Sequence, residues 1–349
     1  MRISGRPIGR PGPLRLSGPL GLAGLLGLLA AVASPATAGT ATGSGLGPYP
    51  DLGRCKVFPD PPARLSPRAA SMRDERAWNQ DVYWAPVARR SHAVVSYINH
   101  HGGNFLHPDF GSPRAYGFPY AVVGRHQRHV PIHYTAYGNE SDRGPFPIPA
   151  HAPIENGRHS DGDRHVLVVD RHRCRLYELY RAFYKVRGHD HWNADSGVSW
   201  NLRSRRRRTE GYTSADAAGL PIFPGLVRYD EVRRGWIGHA IRVTVDQPRD
   251  AWVHPASHCA GDNSSRAAPP MGMRLRLRRS YSIRRLSGAA EVIARALKHY
   301  GMIVADQGSN WFISGTSDPR WNDRNLDQLK SIPGRAFQVV RSAARVHSC

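Results

Sequence analysis

Residues 211–245 read GYTSADAAGLPIFPGLVRYDEVRRGWIGHAIRVTV and join a polar loop, an apolar run broken by prolines, a charged turn and an alternating segment. In the final IRVTV, apolar and polar side chains alternate, which is typical of a strand with one buried face. Asp216 lies in the loop, Glu231 lies in the turn, and His239 comes just before the strand. The stretch therefore places ionisable side chains directly beside core segments, where burial shifts their pKa values.

Strand patterns continue on both sides of this stretch. Residues 165–170 (HVLVVD) are continuously apolar, which predicts a strand covered on both faces. Residues 176–184 (LYELYRAFY) alternate and predict its antiparallel hairpin partner. Residues 273–278 (MRLRLR) alternate as IRVTV does, so their arginines and Arg242 are expected on a solvent-facing side. Helical spacing predicts a few peripheral helices, two of them near the C-terminus, over residues 87–101, 289–300 and 323–331.

The chain has 349 residues, enough for a sizeable core, and its 35 glycines and 28 prolines indicate many loops. It begins with spaced arginines, a short apolar run over residues 20–32 and the small residues Ala36 and Ala38, which predicts an export signal cleaved after Ala38. The apolar run is too short to span a bilayer, so we expect a secreted protein without a membrane span. The predicted organisation is a signal peptide (1–38), an extended Pro/Gly-rich lead-in (39–77) and a single β-rich catalytic or binding domain (78–349).

An even number of cysteines in an exported chain predicts two disulfides, with three pairings open among Cys55, Cys174, Cys259 and Cys349. The formal net charge of +22 favours an acidic partner such as an anionic polysaccharide. The arginine bias of a GC-rich genome explains the same charge equally well. The dense run RSRRRR (203–208) lacks interleaved aromatics, so nucleic acid is not the expected partner.

Several segments together resemble an uncharacterised family of exported bacterial proteins found in actinobacteria and proteobacteria. The resemblance spans roughly Trp78 to Val340 and is carried by GDRHVLVVDR, LYELYRA, TSADAAGLPIFPGLVRYDEV, GHAIRVTV, PPMGMRLRL and YGMIVADQGSNWFISG. It implies a secreted, mainly β protein built as an antiparallel β-sandwich of concanavalin-like or jelly-roll character. It carries over no catalytic residue.

Motifs for several reaction classes are absent from the sequence. There is no GxSxG elbow, no SxxK, no Walker A, no GxGxxG after a strand and no HExxH. We therefore expect no nucleotide and no cofactor. Histidine-rich pieces such as residues 126–133 and 189–191 are expected by chance among 18 histidines, so no metal site is predicted.

The remaining chemistry lies in carboxylates on apolar strands. Glu178 shares a strand face with Leu176 and Tyr180, so burial should raise its pKa toward the range of a general acid. Asp163 and His165 share a face of the paired strand, and the hairpin register decides whether they face Glu178. Further catalytic candidates are Asp216, Glu231 and His239. The candidate substrate-binding residues are Trp192, Trp200, Tyr212, Tyr229, Trp236, His107, Asp109 and His165.

Paired carboxylates in a groove favour a glycoside hydrolase acting on extracellular or cell-wall polysaccharide. One alternative is a polysaccharide lyase acting on acidic glycan, with His239 or Tyr229 as base. A non-catalytic carbohydrate-binding or wall-binding protein and a structural secreted protein are further alternatives. A purely structural reading also exists for each residue, since Glu178 can pair with a nearby arginine and the tryptophans can belong to the core.

Overall fold

The structure is a computed structural model that describes Cys55 and residues 77–111, 116–186, 188–204 and 207–349. These residues form 13 strands in four sheets and four α-helices, so the protein is mainly β, as the sequence predicts. The predicted export signal, nearly all of the predicted lead-in and part of the arginine run lie outside the described residues.

In chain order the strands are β1 (Tyr120–Val123), β2 (Ile132–Tyr134), β3 (Val166–Asp170), β4 (Arg175–Tyr180), β5 (Phe183–Lys185), β6 (His191–Ala194), β7 (Ser196–Asn201), β8 (Ile241–Val245), β9 (Ala251–Val253), β10 (Arg274–Leu277), β11 (Met302–Gln307), β12 (Phe337–Val339) and β13 (Val346–Ser348). The α-helices are α1 (Ser91–His100), α2 (Tyr229–Arg233), α3 (Gly288–His299) and α4 (Asp323–Leu326). The sheets have the orders β1-β3-β4-β7, β12-β10-β11-β8, β2-β6-β5 and β13-β9.

The sheet β1-β3-β4-β7, here called the first sheet, is covered on both faces. Every residue of β3 is buried, and its side chains divide between two separate apolar clusters. One cluster contains Val168 of β3 and the other contains Val169. The predicted strand with two covered faces and its antiparallel partner β4 are both confirmed.

The sheet β12-β10-β11-β8, the second sheet, carries the largest apolar cluster together with α1 and α3. Helix α3 contributes Ile293 and Leu297 to that cluster. It is followed by Gly301 at φ +69°, where a Cβ would clash with the Leu275 carbonyl, so the chain can turn directly into β11.

The expected exposure of the arginines on these segments is right for Arg278, which is exposed, and wrong for two others. Arg242 of β8 and Arg276 of β10 are both buried. Arg276 donates to the backbone carbonyls of Val82 and Tyr83, and Arg242 pairs with Asp216. Alternation therefore identified the strands correctly, but the polar face of each is covered by another part of the chain.

An entirely antiparallel architecture is also wrong. The pairs β1–β3, β2–β6 and β8–β11 are parallel, so three of the four sheets are mixed. A parallel pair requires a long crossover between its strands, which short-range alternation does not reveal. This pairing matters for the site because it brings β11 alongside β8.

The predicted helices are confirmed with shifted ends. The first is Ser91–His100 and the longest is Gly288–His299, where the Asn325 side chain accepts from the Ala290 backbone N–H at 3.1 Å. The last is the short Asp323–Leu326 followed by a 3₁₀ segment. Among the described residues, no helix combines the length and the apolar character needed to cross a membrane.

Two disulfides select one of the three possible pairings. Cys55 is bonded to Cys174 and Cys259 to Cys349, with Cα–Cα distances of 5.1 and 6.5 Å. The second bond fastens the last residue of the chain to the loop after β9. Two disulfides are typical of an oxidising, extracellular environment.

We expect the purified protein to titrate no thiol when it is denatured without reductant, because all four cysteines are paired. After reduction, the same assay should detect four thiols per chain. Detection of two thiols before reduction would mean that one of the two bonds does not form.

Candidate functional site

Glu178 is completely buried and is held by three donors. Its carboxylate accepts from the backbone N–H groups of Ile222 (2.9 and 3.1 Å) and Phe223 (2.9 Å) and from Trp200 Nε1 (2.9 Å). The three donors favour the ionised carboxylate and lower its pKa. Burial outweighs them and, together with the nearby charge of Asp216, raises the pKa of Glu178 to about 7. The predicted increase in pKa is confirmed. The side chain, however, binds the first sheet to the apolar run of residues 220–227 and is enclosed by it.

The hairpin register places one of the two predicted partners, His165, on the Glu178 face. Leu167 lies opposite Glu178, and His165 precedes it by two residues on the same side. The His165 ring lies 5.5 Å from that of Tyr180, which shares this face of β4. The register that the sequence left open therefore directs His165 toward the buried charges, whereas Asp163 lies beyond Arg164, whose φ of +51° interrupts the alternation, and is exposed.

Asp216 and Arg242 form a buried ion pair between the loop of residues 213–217 and β8. Arg242 Nε donates to Asp216 Oδ2 at 2.7 Å, and the second guanidinium contact is to the same oxygen. The other Asp216 oxygen accepts from the Ala218 backbone N–H at 2.9 Å, and Arg242 Nη1 donates to Ser314 Oγ at 3.0 Å. Burial raises the pKa of Asp216, while Arg242 and these donors favour its ionised form.

His165 acts as a buried cation in this network. Its Nδ1 lies 2.5 Å from Glu155 Oε2 and its Nε2 lies 2.9 Å from the Ala215 carbonyl oxygen. Burial alone would lower its pKa, but Glu155, Asp163 and Asp306 raise the pKa to about 9. Because both ring nitrogens donate, His165 has no free nitrogen to act as a base.

Asp306 is the residue of this network that reaches solvent and that the sequence analysis missed. It lies on β11 next to a bulge that shifts the register against β8 and sets Asp306 opposite Thr244. Its side chain is 26% exposed, and its Oδ2 lies 3.6 Å from Arg242 Nη2. Burial and the charge of Asp216 raise its pKa to about 7, against the attraction of Arg242. An acidic residue directly after the apolar run MIVA is the sequence signal that marks it.

Asp163 lies at the surface beside partly exposed tyrosines. Its charge acts on His165, Tyr180 and Asp306, which places it beside the same network. Its carbonyl accepts from the Arg181 backbone N–H at 2.8 Å, next to the half-buried Tyr180. Tyr137, which is 44% exposed, adds a second ring near Tyr180, since Asp195 forms backbone hydrogen bonds with both residues. We call Asp163, Asp306, Tyr180 and Tyr137 the Asp163–Asp306 surface.

Glu231 and His239 form a separate, saturated cluster. Arg228 Nη2 lies 2.5 Å from Glu231 Oε1, and His239 Nε2 lies 3.1 Å from Glu231 Oε2. His239 Nδ1 donates to the Ala240 carbonyl at 2.7 Å, so both of its nitrogens are used. Burial would raise the pKa of Glu231, but Arg228 and His239 lower it overall. A protonated Glu231 is therefore not available as an acid at neutral pH.

The aromatic candidates fall into three environments. Trp192 of β6 is fully buried, so its expected place on a sugar-binding surface is wrong, because it packs in the apolar cluster that also contains Val168. Trp200 is half-buried and donates a hydrogen bond to Glu178. Tyr229 packs edge-on against Trp321, with ring centroids 5.0 Å apart. Tyr212 and Trp236 are 38% and 49% exposed and remain open to a ligand.

His107 and Asp109 lie beside another part of the chain. His107 Nδ1 is 3.2 Å from Asp109 Oδ2, and its ring stacks on Phe312 at 4.3 Å. Asp109 also pairs with Lys330 at 2.6 Å. The two residues thus form a local structural pair rather than part of the Asp163–Asp306 surface.

Comparison with protein-family models, with curated proteins and with solved structures found no match. The chemistry available to the site therefore has to be judged from its geometry. Asp306 can donate a proton near neutral pH, Arg242 can stabilise the carboxylate that remains, and Asp163 supplies a second carboxyl group at the surface.

Proposed function

We propose that the protein is an exported glycoside hydrolase that cleaves polysaccharide with Asp306 as general acid and Asp163 as the second carboxylate. The observation that carries the proposal is a partly exposed carboxyl group whose pKa is raised to about 7 beside a buried Asp216–Arg242 pair. Hydrolysis with paired carboxylates needs one group that is protonated at the working pH and one that is ionised.

The buried charges explain why Asp306 suits the acid role. The fixed negative charge of Asp216 favours the protonated form of Asp306 before the reaction. After Asp306 has given its proton to the leaving oxygen, Arg242 lies 3.6 Å away and stabilises the new carboxylate. Glu178 and His165 are not reacting groups in this proposal, because their polar atoms are hydrogen-bonded inside the protein. Their role is to hold the surrounding segments in place.

Substrate binding is supported by aromatic rings and by charge. Tyr180 is partly exposed beside Asp163, and the exposed Tyr137 lies near Tyr180. Flat rings of this kind provide stacking surfaces for sugar faces. The net charge of +22 favours an anionic polysaccharide over a neutral one. Export is supported by the two disulfides together with the predicted signal of residues 1–38. We also propose that the two large sheets belong to a β-sandwich.

A non-catalytic carbohydrate-binding protein is the second candidate. It is favoured by the saturation of Glu178, Glu231 and His239, each of which is fully bonded inside the protein. The exposed Tyr212 and Trp236 would then bind glycan without any chemistry. The lyase alternative loses its expected histidine base, because both nitrogens of His239 are engaged.

We expect Asp306→Asn to lower the release of reducing ends by about 100-fold to 10,000-fold, since an amide cannot supply the proton. Asp163→Asn should have a comparable effect, and activity of the wild-type enzyme should fall as the pH rises through about 7. The measurement is a reducing-end assay over neutral and uronic-acid polysaccharides, with ultraviolet absorbance of unsaturated ends read in parallel.

Asp161→Asn is the matched control, because Asp161 is exposed in the same loop. Unchanged turnover in Asp306→Asn would remove Asp306 from the reaction. Wild-type protein that retains polysaccharide in a pull-down and releases no ends would identify the binding protein instead. Unsaturated ends would identify a lyase.

A further inference from the structure

A second group of reactive side chains lies around the C-terminal strand, on elements other than those of the Asp163–Asp306 surface. Glu210, His254 and His347 each offer one ligand atom, and these atoms all lie within 4.8 Å of one another. His254 Nε2 is 2.7 Å from Glu210 Oε1, and the two histidine rings are 5.1 Å apart. Three such side chains gather from distant parts of the chain, so local sequence spacing gave no sign of them.

We propose that Glu210, His254 and His347 bind a divalent transition-metal ion of the zinc class. Two imidazoles and one carboxylate are ligands that Zn²⁺ accepts, whereas Mg²⁺ and Ca²⁺ prefer oxygen alone. In a tetrahedral site with bonds of about 2.0–2.1 Å, the ligand atoms lie about 3.3–3.5 Å apart. Closing the observed cluster to that spacing needs only small side-chain rotations, because all three residues are partly or largely exposed.

Neighbouring side chains hold two of the ligands in place. Trp252 Nε1 donates to Glu210 Oε2 at 3.2 Å, and the Trp252 ring stacks on His347 at 5.0 Å with an angle of 14° between planes. The pairing of β13 with β9 sets His347 directly opposite Trp252. One tryptophan thus orients a carboxylate and an imidazole, which is the role that outer-shell residues have at metal sites.

The metal would fasten the C-terminal strand to two other segments. His347 lies on β13, His254 follows β9, and Glu210 lies in the loop after β7. The Cys259–Cys349 disulfide ties the same strand two residues further on. With three protein ligands, a fourth position remains for water, and the exposure of Glu210 leaves that position open to solvent.

Arg207 is a positively charged residue close to the cluster. Arg207 Nη2 is 3.8 Å from Glu210 Oε1, a partly exposed contact without close hydrogen-bond geometry. A bound cation would weaken this contact, and a partly exposed ion pair of this length contributes little to stability. Metal binding would also replace the hydrogen bond between His254 and Glu210.

The test is calorimetric titration of ZnCl₂ into the mature protein after treatment with EDTA, at pH 7.5. We expect one ion per chain, and a loss of at least about 100-fold in affinity for Glu210→Gln or His347→Asn. Trp252→Phe, which keeps all three ligands, should lose about 10-fold. Glu210 is exposed, so its variant should keep the fold, which near-ultraviolet circular dichroism without metal verifies.

His133→Asn is the matched control, because His133 and His191 form another close pair, with ring centroids 4.3 Å apart. Zinc binding that is lost in His133→Asn and kept in Glu210→Gln and His347→Asn would overturn the proposal. Failure of the wild-type protein to bind zinc would overturn it as well. Neither result bears on Asp306, so the outcome is separable from the proposed hydrolase.

Discussion

Arg242→Met is expected to destabilise the folded protein by about 3–5 kcal/mol, because it leaves a buried carboxylate without its counter-ion. Asp216 accepts two guanidinium contacts and is fully enclosed, so water cannot replace the lost charge. The Asp306 carboxylate, 3.6 Å from Arg242, would lose the same partner. The measurement is the free energy of unfolding in guanidinium chloride under non-reducing conditions.

A second substitution separates the charge effect from the packing effect. Asp216→Asn in the Arg242→Met background should recover at least half of the loss, because a neutral amide keeps the acceptor for the Ala218 N–H without a buried charge. Arg278→Met is the control, since an exposed arginine should change stability by about 0.5 kcal/mol at most. A cost below about 1 kcal/mol for Arg242→Met would contradict the importance of the pair.

The second large effect is a loss of stability as the pH rises from 5 to 9. The pKa of Glu178 is raised from an ordinary 4.5 to about 7, and that of His165 from 6.5 to about 9. The folded protein therefore binds both protons more tightly than the unfolded chain does. The stability from each is fully present below the ordinary pKa and is lost as the pH rises through the raised one. Shifts of this size correspond to roughly 3 kcal/mol for each buried group.

Two variants show how much of this loss of stability comes from Glu178 and how much from His165. Glu178→Gln should flatten the curve between pH 5 and 7, and His165→Gln should flatten it between pH 7 and 9, whatever their effect on overall stability. Asp306 contributes in the same window as Glu178, because its pKa is also raised to about 7. His92→Gln, at an exposed helical position, should leave the slope unchanged. Parallel curves for Glu178→Gln and wild type would show that the carboxyl group titrates normally.

These two effects have one structural origin. Glu178, His165, Asp216, Arg242 and Asp306 come from both large sheets and from the loop between them, and their charges interact. The network costs stability at alkaline pH, and it supplies the raised pKa on which the proposed acid role of Asp306 depends. Stability and activity should therefore decline together as the pH rises through about 7.

The sequence alone predicted the features that depend on near neighbours. Alternation and apolar runs identified β3, β4, β8 and β10, and helical spacing located α1, α3 and α4, because side-chain direction repeats with a fixed local period. The apolar surroundings of Glu178 were enough to predict a raised pKa. An even number of cysteines was enough to predict two bonds, although not their pairing.

Only the tertiary structure decided which distant segments meet. The register of β3 on β4 placed His165 on the Glu178 face, and the parallel pairing of β8 with β11 brought Asp306 to Arg242. The burial of Arg242, the enclosure of Trp192 and the meeting of Glu210 with His254 and His347 have the same origin. Each results from contacts between residues far apart in the chain, whose energy depends on packing and charge in three dimensions rather than on any local pattern.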